Sequence, residues 1–86
     1  MKDAIQVFKE RGVACNNYTS NYDELLKLAK LDKHQSKELK NVFNEYWIGT
    51  LLGYNVVRVV SKHKYGGAVH DCIFITAGQP DKNESV

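Results

Sequence analysis

Three histidines and two cysteines are the side chains best suited here to metal ligation or nucleophilic attack: His34, His63, His70, Cys15 and Cys72. Zinc and copper take imidazole and thiolate ligands, and a catalytic cysteine needs a histidine beside it. Spacing decides whether such groups can cooperate. No C-x-x-C or H-x-x-x-H pair is present. His70 precedes Asp71, but neighbours on a strand point to opposite faces, so that pair is not a dyad. His63, His70 and Cys72 could meet on one face of a hairpin, with no fourth ligand in view. One pair of cysteines in a short chain is not a disulfide framework, which predicts two reduced thiols in a reducing compartment and no metal. The glycine-rich phosphate loops, H-E-x-x-H, G-x-S-x-G and an acidic calcium loop are all missing. The expectation is a protein that is not an enzyme and carries no cofactor.

The elements that would position these groups must fit in 86 residues. Surface scaling at that length buries about 64% of the chain's surface, enough for one small core and no deep cleft. A single domain over 1–78 with a flexible tail over 79–86 is expected. Hydrophobic residues at 43% and charged residues at 26% are globular proportions. Twelve bases against ten acids leave +2, which argues against a DNA mimic and against a basic tail coating nucleic acid. Ten of the bases are lysine and only Arg11 and Arg58 are arginine, which weakens sequence-specific base reading. No apolar run approaches the ~18 residues of a membrane span, and the start Met1-Lys2-Asp3 is not that of a signal peptide. No membrane partner and a cytoplasmic location are expected.

Local patterns suggest an α+β fold: three helices followed by a two-stranded antiparallel β-hairpin, the order of a winged helix. Asp3 can cap a first helix carrying Ile5 and Phe8, and Gly12 can stop it. A second helix begins near Asn21, with Tyr22, Leu25, Leu26 and Ala29 on its apolar face. Leu39, Val42, Phe43, Tyr46, Trp47, Thr50, Leu51 and Tyr54 recur at three and four residues, which predicts a third helix ending at Gly53. Asn55–His63 and Val69–Thr76 are rich in β-branched residues and flank Gly66-Gly67, which predicts a hairpin. With Gly66 and Gly67 as the loop, Lys62 faces Asp71, Val60 faces Ile73, Val59 faces Phe74 and His63 faces His70. A loop of Tyr65 and Gly66 would put Val60 against Asp71, so the first register is expected. One hairpin face then holds Val57, Val59, Cys72 and Phe74. The other holds Val56, Val60, Val69, Ile73 and Ile75.

Two apolar faces on one ribbon predict an interface: a homodimer, or a protein partner docked on the hairpin. The leading expectation is a small non-catalytic protein-binding regulator or inhibitor. Trp47, Tyr54, Arg58, Lys62, Lys64, Tyr65, Ile73 and Ile75 are its candidate contacts, since Trp and Tyr dominate binding hot spots. Small size with many Lys, Asn and Tyr is also the character of many bacteriophage accessory proteins that inhibit or redirect one host protein; no motif identifies a family. The alternative is a winged helix-turn-helix DNA-binding regulator. Residues 27–40 carry five lysines against two acids, and 55–70 carry Arg58, Lys62 and Lys64 with no acid. Lys30, Lys33, Lys37 and Lys40 would then meet nucleic acid, with the hairpin as the wing.

Overall fold

The computed structural model describes residues 3–67 and 69–76. The expected tail over 79–86 lies outside the described residues. In chain order the elements are α1 (Ala4–Arg11), β1 (Val13–Cys15), α2 (Tyr22–Leu28), β2 (Lys30–Leu39), β3 (Val42–Leu51), β4 (Tyr54–His63) and β5 (Val69–Ile75). The strands form one antiparallel sheet in the order β1-β5-β4-β3-β2.

The α+β expectation of three helices and a two-stranded hairpin is therefore corrected to two short helices on a five-stranded sheet. The first helix keeps its expected ends. Asp3 Oδ1 accepts the Gln6 amide at 2.9 Å, and Gly12 turns left-handed at φ 73°. The second begins where expected, although the Asn21 side chain makes no capping hydrogen bond.

The third helix does not exist; residues 30–51 are the hairpin β2–β3. Val42, Phe43, Tyr46, Trp47 and Ile48 are β-branched or aromatic, types that lose side-chain freedom in a helix and pack well on a pleated surface. Two-residue loops close both new hairpins, Lys40-Asn41 and Leu52-Gly53. Leu52 and Gly53 have φ 51° and 85°, the doubly left-handed backbone that matches strand twist. Gly49, a defect in a helix, has a purpose in β3. The Lys30 carbonyl of β2 occupies the space that a Cβ there would need. A winged helix-turn-helix needs the missing reading helix, so that architecture falls with it.

The hairpin register is also corrected. Val60 faces Asp71, Arg58 faces Ile73 and Ser61 faces His70. Lys62 faces Val69 instead of Asp71, and His63 lies beside Val42 of β3. This differs from the expected pairing by two residues, which leaves every side chain on its expected face.

Phe8, Tyr22 and Leu25 of the helices bury against Ala14, Leu51, Val56 and Ile73 of the sheet, all of them 2% exposed or less. These strand residues share one face, the helix face. On the opposite face, called here the open face, Cys15 is the one buried strand residue among those described.

The free thiols expected at Cys15 and Cys72 are instead a disulfide. β1, a strand with no signal of its own, pairs with β5 and sets the two cysteines directly opposite each other. No helix among the described residues is long and apolar enough to cross a membrane.

Candidate functional site

The helix face has one row in which five strands stand in register: Ala14, Ile73, Arg58, Trp47 and Lys33. Ala14 and Ile73 are fully buried under the helices. The row then emerges from that cover. Trp47 is half-buried, with the Arg58 guanidinium carbon 4.6 Å and the Lys33 ammonium 5.4 Å from its ring centroid. β3 supplies the indole, and its two neighbours β4 and β2 supply one cation each. Attraction of a cation to an indole ring adds about 0.5–1 kcal/mol at exposed sites and more where water is excluded.

The next row along the sheet is acidic, with Asp71 on β5 and Glu45 on β3. Arg58 donates from Nε to Asp71 Oδ1 at 2.8 Å and from Nη2 to Oδ2 at 2.6 Å. The Tyr22 hydroxyl, reaching down from α2, donates to the same Oδ1 at 2.9 Å. Burial, and next to it the Asp71 charge, push the Tyr22 phenol well above its ordinary value. The Asp71 hydrogen bonds hold the Arg58 guanidinium more firmly charged, against the opposing effect of burial. Glu45 stands between two lysines, 3.8 Å from Lys33 and 3.7 Å from Lys62. Lys64 meets Glu38 at 2.9 Å.

The expected contact residues separate into groups. Trp47, Arg58 and Lys62 lie together on the helix face, and Tyr54 lies on the same face against Phe8, edge-to-face at 5.9 Å. Lys64 and Tyr65 occupy the loop after β4, where Tyr65 is 82% exposed. Ile73 is core, and half-buried Ile75 packs against it beside Gly12. The lysines of residues 27–40 are divided by the strand they lie on. Lys33 joins the Trp47 row, Lys30 and Lys37 are on the open face, and Lys40 is in the β2–β3 turn.

Tyr22, Glu45 and Asp71 belong to this region and are not among the expected contact residues. One signal pointed to Asp71: a carboxylate at a core-facing position of an apolar strand must be paired, or its burial is costly. Glu45 had no such signal, because it falls inside the expected third helix.

Among the described residues no group of three or more His, Cys, Asp or Glu side chains is placed to hold a metal. His63 and His70 do border one shallow hollow, with Val42, Ser61 and Lys62. The Cys72 sulfur is in a disulfide and offers no thiolate. In comparison with known proteins, the chain matches no family model, no curated protein and no solved structure.

Proposed function

We propose that this chain is a non-catalytic protein-binding module, of regulator or inhibitor type, which engages its partner with the Trp47 row of the helix face. One observation carries the reading: Trp47 is partly exposed and held between Arg58 and Lys33 on the part of the sheet that the helices leave uncovered. Trp, Tyr and Arg are the residues that dominate binding hot spots. A ring already fixed by its neighbours loses little freedom on binding. Exposed Tyr54 lies on the same face.

The charge pattern supports a protein partner over nucleic acid. Lys33, Lys62, Lys64 and Arg58 each stand beside a carboxylate of this chain. A phosphate backbone is bound by bases free to replace its counterions. The disulfide removes one ground of the cytoplasmic expectation, the free thiols, since such bonds persist in oxidising surroundings.

The test is affinity capture with the wild-type chain and a Trp47→Ala variant side by side. The expected result is a protein retained by the first and lost by the second. Adding that protein should also shield the single tryptophan from acrylamide quenching. Identical captures from both baits, or salt-sensitive binding to a labelled random duplex, would overturn the reading.

A further inference from the structure

We propose that the open face of the sheet is covered by a second copy of this chain, giving a two-sheet sandwich with the helices outside. Two apolar rows cross this face from strand to strand. One is Val13, Phe74, Val57 and Ile48; the other is Cys15, Cys72, Val59 and Tyr46. Neither helix packs on them, and Ile48 and Phe74 are 45% and 37% exposed. A sheet face of this composition is ordinarily the inner layer of a sandwich.

The occupant follows from area, charge and edges. Strands about 4.8 Å apart, three of ten residues, one of seven and one of three, give a face of roughly 600–650 Å². A stable interface takes about 600–1,000 Å² from each partner. Two-fold pairing sets a patch against itself, so a charge near its centre would meet its own copy. The centre here is Val57, Val59, Tyr46 and Ile48, which carry none. The polar residues Lys30, Asp32, His34 and Lys37 lie at the β2 margin, the polar rim of an interface around its apolar middle. Beside the apolar rows, the Ser61 hydroxyl donates to Asn44 Oδ1 at 2.6 Å, so covering this pair leaves that bond intact.

The edges turn away the other route to self-association. Edge strand β2 carries Lys30, Lys33 and Lys37 and a pairing irregularity between His34 and Lys37. Lysines and bulges on an edge strand block the addition of another strand. The opposite edge, β1, is only three residues long. Association is therefore by face. The arrangement leaves both Trp47 rows pointing outward and does not depend on what they bind.

Light scattering on the full chain tests the proposal. The expected mass is twice the 9.8 kDa of one chain. The variants Val59→Lys and Ile48→Lys, each with a wild-type circular dichroism spectrum, should reduce it to one chain. Trp47→Ala, on the other face, should leave the dimer intact while acting on partner capture, so the two proposals fail separately. A wild-type mass of one chain at every concentration would overturn the inference. So would a dimer that survives both lysine variants, since it would use another surface. If either variant fails to fold, Phe74→Lys serves in its place, in the same apolar row as Ile48 and at a partly exposed position.

Discussion

Arg58 and Asp71 are not directly opposite on β4 and β5, yet they close a two-point ion pair. Arg58 faces Ile73 and Asp71 faces Val60. The guanidinium reaches diagonally to the carboxylate, a separation of about 7–8 Å between backbones that a long side chain spans. Asp71 is 13% exposed at its side chain and Arg58 22%. At that burial each group needs the other, and Tyr22 adds the third donor that ties α2 to the sheet.

Removing Asp71 leaves the partly buried Arg58 charge and the buried Tyr22 side chain without their acceptor. Asp71→Ala should lower stability by about 3 kcal/mol in urea unfolding. Arg58→Ala should cost about 2 kcal/mol, because Tyr22 still partners Asp71. The double variant should fall short of the sum by more than about 1 kcal/mol. Additive losses would mean that the pair is not coupled.

Tyr22 makes stability depend on alkaline pH. Its folded phenol holds the proton more tightly than the unfolded one, through burial first and then the Asp71 charge. The folded state therefore binds more protons once pH passes the unfolded value of about 10, and stability falls as pH rises beyond it. Below that pH the contribution is fully present. Tyr22→Phe should cost about 1.5 kcal/mol at neutral pH and flatten the decline above pH ~10. An unchanged slope in unfolding measured across that range would show that another group is responsible.

The disulfide joins residues 57 apart in sequence. In the chain-entropy account a loop of that size contributes about 4 kcal/mol. Dithiothreitol should lower the melting temperature of the wild type by more than about 10 °C. It should leave a Cys15→Ala, Cys72→Ala variant unaffected. A wild-type melting curve insensitive to reductant would show that the bond adds nothing.

Leu52 is a place where a substitution should help. It takes φ 51° at the first position of the Leu52-Gly53 turn, backbone that a leucine adopts at a cost. Asn tolerates that region and is the preferred residue before Gly in such a turn. Leu52 is also largely outside the core, 39% exposed. Leu52→Asn should raise stability by about 0.5–1 kcal/mol. A loss in the denaturation midpoint would mean that its packing outweighs the strain.

The parts of this protein that depend on near neighbours were legible from the amino-acid order. Asp3 and Gly12 bound α1 because a cap bonds within its own first turn and a glycine needs no partner to go left-handed. The β-branched runs became β4 and β5, and their alternation assigned each hairpin side chain to its face. Tertiary structure decided the rest. Residues 39–54 carry apolar groups on both faces of β3, so the strand period is masked and a helical one can be read through it. What settles them as strand is the ladder with β4, whose hydrogen-bond partners lie elsewhere in the chain. The β4–β5 register joins Asp71 to Arg58 and to Tyr22, 49 residues away from Tyr22 in sequence. The disulfide needs β1 brought beside β5 across 57 residues. The Trp47 row takes one residue from each of five strands, and only the assembled sheet puts them in line.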